Sequence, residues 1–403
     1  MPHALAQVVE MATTALTVAS MGFFLVAIVA ARVYLFERRR LLRDIDRLSA
    51  ASEFTPGVSI LKSLKGLDPS MMDAFRSHCL QSYAGEYELL FGVSSLDDPA
   101  VAAVEQLRHE FPERSIQIVE CAERLGTNGK VSTLVQLVRH ARSHFLLIND
   151  SDITVSPLYL ERVMACFAPE RKGSGKTPVG LVTALFYGRA HGTLLSQMES
   201  LGIATDFMAG VLVSKMIEGG LHYGMGSTLA VRREALDKIG GLIPLLDHLA
   251  DDFELGARVS QAGYSVALCP EVVETGIPAY DWRGFVEHQL RWLRTVRDAR
   301  PAGYAGLLFT HGLPLALVNV LASGLSPLSL WLLAMSFFLR ISAAMTVGVE
   351  VLGDHQVLGS LWMLPARDVI AMGLWVAGFA GNTIVWRGDR FVLKRGRLER
   401  VTG

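Results

Sequence analysis

Two long stretches without charged residues constrain the fold of this chain more than any other feature. Met11–Ala31 has 21 residues and Pro301–Leu339 has 39, and neither contains Lys, Arg, Asp or Glu. Each is long enough to cross the hydrocarbon core of a bilayer. Hydrophobic residues make up 51% of the 403-residue chain and charged residues 19%, a balance too apolar for a soluble protein of this length. We therefore expect membrane-spanning segments near both ends.

The distribution of charge around the first stretch predicts its orientation. The residues before it include Glu10 but no Lys or Arg, whereas five arginines follow it: Arg32, Arg38, Arg39, Arg40 and Arg43. A cleaved signal peptide has the opposite pattern. We therefore expect an uncleaved anchor over residues 1–36, an external N-terminus, a linker at 37–55 and then a cytoplasmic domain. Four widely spaced cysteines fit this reducing location: Cys79, Cys121, Cys166 and Cys269.

The C-terminal region, residues 301–386, is predicted to form transmembrane or interfacial helices. By length, two segments precede Glu350 and a third follows Asp368. The tail, residues 387–403, is strongly basic and should be cytoplasmic, whereas three full crossings would leave it outside. Two explanations stay open. Either one block, for example Leu307–Ser323, lies along the interface, or the positive-inside rule fails here.

Between residues 56 and 300, short apolar runs alternate with intervals of helix length. The intervals lie around residues 69–82, 99–111 and 129–142, and the runs are Val58–Leu61, Tyr87–Val93, Ile116–Val119, His144–Ile148 and Gly180–Ala184. Strands that alternate with helices predict βαβ units and an α/β domain with a mostly parallel sheet. A surface loop is expected at Pro169–Pro178.

One further apolar stretch, Thr193–Met216, is interrupted by Glu199, Asp206 and Lys215. A membrane crossing would bury these charges. We therefore expect an amphipathic helix that lies on the membrane or under the active site. A core helix of the domain is the open alternative.

The triplet Asp150-Ser151-Asp152 follows an apolar run and should lie at the carboxyl end of a strand, where open α/β sheets bind ligands. Mg²⁺ and Mn²⁺ take oxygen ligands and often complete their coordination with substrate phosphates. Asp150 and Asp152 are therefore the predicted metal ligands. The alternative is a short acidic loop without a ligand, which is common in proteins.

Two further acidic pairs indicate either helix starts or ligand contacts. Asp98 before Pro99 is a normal N-cap, yet its place after a strand also suits a nucleotide contact, with Asp97 as the second choice. Asp251 and Asp252 open a helical stretch, where acids interact favourably with the helix dipole. One of them can also act as a general base that takes a proton from an acceptor hydroxyl.

Three other residues complete the candidates. Lys130 stands at a predicted helix start, where a diphosphate can bind, although the spacing of Gly126–Lys130 is not that of a P-loop. Arg291 and Trp292 precede the long apolar stretch, as interfacial anchors do, but Arg291 can also hold a leaving diphosphate and Trp292 can border an acceptor.

A net charge of −1 implies no broad basic surface, so no nucleic-acid partner is expected.

In their order along the chain, these motifs resemble the ceramide glucosyltransferase-like enzymes of glycosyltransferase families 2 and 21, including bacterial hopanoid glucosaminyltransferases. The resemblance covers nearly the whole chain and rests on Val58–Lys62, Asp97–Pro99, Asn128–Lys130, Asp150–Ile153, Ala250–Phe253, Arg291–Trp292 and Trp386–Phe391. It implies a GT-A fold for a catalytic domain at residues 56–300, on the cytoplasmic face of a bacterial inner membrane. Arg300–Gly306 is more similar to the hopanoid branch.

The resemblance also implies a reaction. One hexose, glucose or N-acetylglucosamine, would pass with inversion from a UDP-sugar to a hydroxyl of a membrane lipid, either ceramide or a hopanoid such as bacteriohopanetetrol. By position, Asp98 would bind the nucleotide and Asp252 would be the base. Asp150 and Asp152 would hold a divalent cation, Mg²⁺ or Mn²⁺, on the diphosphate. His288 departs from the family's (Gln/Arg)-x-x-Arg-Trp signature at its first position, where it can still donate a hydrogen bond to the substrate.

Two other functions share part of this pattern. A processive polysaccharide synthase of the cellulose or hyaluronan type has the same aspartates and Arg-Trp motif, but it needs a polymer channel that is usually built from more crossings than this chain offers. A catalytically silent membrane scaffold would keep the fold, yet it would not need three intact acidic clusters.

Overall fold

The computed structural model describes residues 2–50, 54–68, 70–168, 177–386 and 389–400. The chain divides into two compact units. The sheet unit comprises residues 37–189, 218–278 and 396–403, and the helical unit comprises residues 1–36, 190–217 and 279–395. The predicted surface loop at 169–178, except for its last two residues, and Arg387-Gly388 of the tail motif lie outside the described residues.

Seven strands form the mixed sheet of the sheet unit. They are β1 (Val58–Ser63), β2 (Tyr87–Val93), β3 (Ser115–Glu120), β4 (Phe145–Ile148), β5 (Val179–Ala190), β6 (Leu229–Arg232) and β7 (Ser265–Ile277). Their order is β3-β2-β1-β4-β6-β5-β7. The first four strands of this order pair in parallel, whereas β6 runs antiparallel to β4 and β5. The α/β class expected of a GT-A domain is confirmed, and every predicted strand is present.

Helices connect these strands and build the helical unit. They are α1 (Pro2–Ala50), α2 (Met71–Cys79), α3 (Ala100–Glu110), α4 (Gly129–Leu137), α5 (Tyr159–Ala165), α6 (Leu194–Gly202), α7 (Met208–Ile217), α8 (Arg233–Lys238), α9 (Asp251–Gln261), α10 (Trp282–Ala299), α11 (Pro301–Gly306), α12 (Gly312–Ala322), α13 (Pro327–Ala344), α14 (Gln356–Ser360) and α15 (Leu364–Gly378). Three short strands follow: β8 (Thr383–Trp386), β9 (Asp389–Lys394) and β10 (Arg397–Arg400). Helix α1 continues through most of the segment predicted as a linker at 37–55.

The sequence pattern of the central strands follows from their burial. Nearly every residue of β1, β2 and β4 is buried, on both faces of the sheet. Parallel strands covered on both faces have near-continuous hydrophobic runs, which is why these strands are recognisable in the sequence. Two charged residues interrupt these runs and are nevertheless buried, Lys62 in β1 and Glu88 in β2.

The stretch predicted as an amphipathic helix forms α6 and α7, joined by a π-helical turn at Ile203–Phe207. It is long and apolar enough to cross a membrane. A single crossing is nevertheless excluded, because β5 precedes the stretch, β6 follows it, and these strands pair in one sheet. Its charges also have partners. Glu199 Oε1 lies 3.0 Å from His288 Nδ1, and Asp206 Oδ1 accepts a hydrogen bond from Arg340 at 2.6 Å.

The predicted apolar helices at both ends of the chain are also present. Among the described residues, four helices are long and apolar enough to span a membrane, one of them the mid-chain stretch 194–217, and the bent pair Pro301–Thr310 and Gly312–Ala322, broken by 60°, makes a fifth if it is one span. Near one end of α1, Thr13 Oγ1 donates to Asn319 Oδ1 of α12 at 3.0 Å. Further along α1, just after its apolar stretch, Arg32 Nη2 donates to Glu350 Oε1, just after α13, at 2.9 Å. Thr13 and Arg32 are 19 residues apart, or about 28 Å of helix, so the turn between α12 and α13 lies level with the N-terminal part of α1.

A network of four charged side chains lies inside the helical unit. Arg340 of α13 is fully buried, and its Nε lies 2.9 Å from Asp368 Oδ2 of α15. Arg340 also binds Asp206, as described above, and Arg367 contacts both Asp206 and Asp368. Two positive and two negative charges therefore compensate each other among apolar helices.

Substitution of Arg340 by Met should destabilise the protein strongly. The change leaves two partly or fully buried carboxylates with one remaining arginine, and breaking a buried ion pair from one side costs about 3–5 kcal/mol. Arg283→Gln is the matched control, because Arg283 forms an exposed pair with Glu287 on α10, and loss of an exposed pair should leave the unfolding midpoint nearly unchanged. Thermal unfolding of both variants in detergent tests this. Equal midpoints for the two would show that the network does not stabilise the fold.

Candidate active site

The loops that follow three neighbouring parallel strands are joined at the carboxyl edge of the sheet. Gly66 N, after β1, donates to Asp98 Oδ1 and Oδ2, after β2, at 2.9 and 3.1 Å. Ser151 Oγ, after β4, donates to Asp68 Oδ2, after β1. The strand order changes direction between β1 and β4, and open α/β sheets bind ligands at such a point. Two of the predicted acidic clusters therefore lie along one crevice edge.

Lys130 links the second acidic cluster to the third. Its Nζ lies 2.7 Å from Asp150 Oδ1 and 3.5 Å from Asp251 Oδ2. Burial alone would lower the pKa of Lys130, but the charges of Asp150 and Asp251 outweigh this and raise it above its ordinary value. The ammonium group therefore stays charged. Lys130 belongs to the first turn of α4, whose N-cap Asn128 accepts a hydrogen bond from Val131 N at 3.1 Å.

Asp252, the predicted base, stands at the start of α9 and faces Gly226. Gly226 N donates to Asp252 Oδ2 at 2.7 Å. A Cβ atom on Gly226 would lie 3.2 Å from Asp252 Oδ2 and 3.4 Å from Asp150 Oδ2, so both carboxylates approach the same glycine. Burial, followed by the charge of Asp251, raises the pKa of Asp252 to about 6. A base whose pKa lies closer to neutrality is better suited to proton transfer.

The predicted metal ligands have different surroundings. Asp150 is partly exposed next to Lys130, whereas Asp152 Oδ2 accepts hydrogen bonds from Thr275 Oγ1 at 2.5 Å and Gly276 N at 3.0 Å. Burial and the charge of Asp150 raise the pKa of Asp152. Among the described residues, no three His, Cys, Asp or Glu side chains form a metal-binding group. Mg²⁺ often uses only one or two carboxylates plus substrate phosphates, so this oxygen pair fits a hard cation.

Two residues that sequence reasoning did not assign a role support this edge of the sheet. Lys62 Nζ donates to the backbone oxygen of Asp150 at 2.9 Å, and burial lowers the pKa of Lys62 to about 7. Asn149 Nδ2 donates to Ser227 O at 2.6 Å, which ties the end of β4 to the loop of Gly226. The position of a lysine inside an apolar strand was a sequence signal for Lys62. Nothing in the sequence indicates that Asn149 contacts Ser227.

The remaining predicted residues fall into two groups. Asp98 Oδ1 accepts from Ala100 N at 2.9 Å and so has the expected capping role, while Asp97 is exposed. His288, Arg291 and Trp292 belong to α10 of the helical unit. The rings of His288 and Trp292 lie 5.6 Å apart.

A mixed α/β sheet with carboxylates at the carboxyl ends of its parallel strands, in a chain with membrane-length helices, is the arrangement expected of a membrane-associated glycosyltransferase. The sequence profile described as "Glycosyl transferase family 21" matches residues 19–399. The chain therefore belongs to glycosyltransferase family 21.

Named relatives agree with this family. Ceramide glucosyltransferase 3 of Caenorhabditis elegans is 26% identical over 240 residues, covering 59% of this chain and 50% of the relative. Ceramide glucosyltransferase 1 of the same organism is 23% identical over 353 residues, covering 85% of this chain and 72% of the relative. The chain thus spans about half the length of the first relative.

A solved structure with a similar chain course is a mannosyltransferase from Pyrobaculum calidifontis in complex with GDP-mannose and Mn²⁺. It is 17% identical, with a TM-score of 0.48, over 91% of this chain and 99% of that one.

Proposed function

We propose that this protein transfers one hexose from a UDP-sugar to a hydroxyl of a membrane lipid, with inversion at the sugar carbon. Membership of glycosyltransferase family 21 supports sugar transfer. The names of the relatives, ceramide glucosyltransferases, support a lipid acceptor, which we propose to be ceramide or a hopanoid such as bacteriohopanetetrol. The donor sugar is glucose or N-acetylglucosamine. The observation that carries the proposal is the approach of Asp252 and Asp150 to the same glycine.

In the proposed mechanism, Asp252 accepts the proton of the acceptor hydroxyl while the hydroxyl oxygen attacks the anomeric carbon. The bond from that carbon to the diphosphate breaks, and UDP leaves with the bonding electrons. Asp150 and Asp152 would hold Mg²⁺ or Mn²⁺, which supplies positive charge to the leaving diphosphate. Lys130, already charged next to Asp150, provides a further contact to that diphosphate.

The other predicted residues have proposed roles around these reacting groups. Asp98 contacts the uridine side of the donor, with Asp97 as the second choice. On α10, Arg291 holds the leaving diphosphate, Trp292 borders the acceptor, and His288 donates a hydrogen bond to the substrate.

We further propose that the sheet unit lies on the cytoplasmic face of a bacterial inner membrane. The chain leaves this unit after β7 and returns to it at residue 396, so the number of full crossings between these points is even. Asn319 contacts Thr13 and Glu350 contacts Arg32, near the two ends of the apolar stretch of α1, and these contacts support two crossings, one by the broken span at 301–322 and one by 327–351. Residues 356–378 then do not cross. This places the basic tail in the cytoplasm, in agreement with the positive-inside rule.

Asp252→Asn should lower the turnover of sugar transfer by about 10²–10⁴-fold, because the amide cannot accept the proton. Binding of the UDP-sugar should stay within about twofold, since the change removes one charge and keeps the shape. Glu254→Gln is the matched control, because Glu254 lies on the same helical turn and pairs with Arg258 instead. Transfer to lipid and donor binding are measured on purified membranes.

Loss of donor binding in Asp252→Asn would instead place this residue in the nucleotide site. A polymer retained on a filter, in place of a lipid with one sugar, would favour the processive synthase over the proposed reaction.

Removal of divalent cations with a chelator should abolish transfer, and Mg²⁺ or Mn²⁺ should restore it in the wild type. Asp150→Ala and Asp152→Ala should lose both transfer and this response, because each removes an oxygen ligand. Asp73→Ala is the control, because Asp73 is an exposed acid on α2 and should behave as wild type. Cation-stimulated transfer in both site variants would contradict the metal assignment.

The proposed topology predicts which positions react with a membrane-impermeant thiol reagent on intact cells. Leu325→Cys, between α12 and α13, should react, whereas His355→Cys and Arg400→Cys should react only after the membrane is opened. The native cysteines are all buried and give a low background. If residues 307–323 instead lie along the cytoplasmic interface, Leu325→Cys will be protected and His355→Cys will react.

A further inference from the structure

The last described residues of the chain are a packed part of the sheet unit. Leu398 N in β10 donates to Asp247 O at 2.7 Å, and Leu249 N donates to Gly396 O at 3.2 Å. The Leu398 side chain is only 3% exposed. The C-terminal strand therefore lies against the segment Asp247–Leu249, which we call the support loop.

The other side of the support loop contacts the residues that precede α4. Thr127 N donates to Asp247 Oδ1 at 2.9 Å, and Asn128 Nδ2 donates to His248 O at 2.8 Å. Nearby, a Cβ atom on Gly126 would lie 2.6 Å from Leu246 Cβ, so the two segments pack without space between them. Asp247 therefore bonds the C-terminal strand through its backbone oxygen and Thr127 through its side chain.

The contacts of the support loop connect it to the active site in two ways. Asn128 caps α4, which carries Lys130, and the support loop continues directly into Asp251 and Asp252 of α9. Asn128 Nδ2 also lies 3.3 Å from Asp251 Oδ1. A displacement of the support loop would therefore move the lysine and the two acids relative to each other.

The charge on Asp247 is consistent with this bridging position. The hydrogen bond from Thr127 N lowers the pKa of Asp247 most, burial raises it, and the positive charge of Arg397 in β10 lowers it further. The result is a pKa below the ordinary value. The carboxylate is therefore ionised at neutral pH, which strengthens its bond to the Thr127 N–H.

We propose that the C-terminal strand is a positioning element for catalysis, which acts through Asp247 and the support loop on Lys130, Asp251 and Asp252. This inference rests on the proposed function for its effect on turnover, but not for its effect on the support loop. The tail would accordingly have a local structural role in the sheet unit, in addition to any attraction of its basic residues to anionic lipids.

The test compares full-length protein in detergent with four variants and with one combination of two of them. A chain that ends at Arg395 lacks β10, whereas a chain that ends at Arg400 keeps it and is the matched control. Asp247→Ala removes the acceptor for Thr127 N, and Asp247→Asn restores a neutral acceptor of the same shape. Hydrogen–deuterium exchange of peptides that cover residues 124–132 and 244–254 is measured together with the turnover of sugar transfer and the thermal midpoint.

Removal of β10 should speed exchange in both peptides and lower turnover by about tenfold to a hundredfold, as small misplacements of reacting groups do. Ending the chain at Arg400 should change neither quantity. Asp247→Ala should lower turnover, Asp247→Asn should recover most of it, and the truncation combined with Asp247→Ala should cost no more than the truncation alone, because both act on one contact chain.

Unchanged exchange after removal of β10 would overturn the proposal, whatever the activity. Faster exchange with unchanged turnover would overturn it too, since the support loop would then not position the reacting groups. If removal of β10 prevents folding, the variants Asp247→Ala and Asp247→Asn test the proposal on their own. Equal turnover in Asp247→Ala and wild type would then contradict it. If the wild type transfers no sugar but removal of β10 still speeds exchange, the contacts between β10 and the support loop are supported and the proposed function is rejected instead.

Discussion

The site depends on how one lysine compensates several like charges. Lys130 contacts Asp150 and Asp251 directly, and Asp252 approaches the same glycine as Asp150. Like charges at such separations repel strongly when water is partly excluded, which is one reason why the pKa of Asp252 is raised. Three carboxylates against one ammonium leave a negative balance of two charges when all are ionised. Lys130 therefore offsets only part of the negative charge of this cluster.

The path of the chain imposes a second constraint. The sheet unit is built from three separate pieces of sequence, so each excursion into the helical unit has to return to the same sheet or to its support loop. An excursion that starts and ends on one side of a bilayer crosses it an even number of times. This explains how α6 and α7 can be as apolar as a membrane span and still not be one. If the sheet unit is cytoplasmic, as proposed, the same rule allows a basic cytoplasmic tail to follow three apolar segments, a conflict that composition alone left open.

The features that could be predicted from the sequence are those set by local pattern. Strands β1, β2 and β4 were recognisable because burial on both faces leaves continuous apolar runs, and the acids that follow β2 and β4 mark the crevice edge. The roles of Lys62 and Gly226 could not be assigned, because they depend on residues that are distant in sequence: Lys62 on the backbone oxygen of Asp150, and Gly226 on the carboxylates of Asp150 and Asp252. A glycine that admits two carboxylates is indistinguishable in sequence from a glycine in a turn.

The sequence predicts Glu199 on an amphipathic helix or on a core helix, and in the structure Glu199 is buried, with its Oε1 3.0 Å from His288 Nδ1. This pair offers a physical reason for the departure of position 288 from the family signature. A buried carboxylate is costly without a strong donor, and a histidine ring supplies a donor that can also carry charge. The same ring lies 5.6 Å from Trp292, which in turn lies 5.4 Å from Phe207, next to Asp206 of the buried charge network. A glutamine at position 288 could also donate a hydrogen bond, but it could not contact Trp292 with a flat ring. The substitution is therefore compensated within the helical unit, by the residue that the histidine contacts.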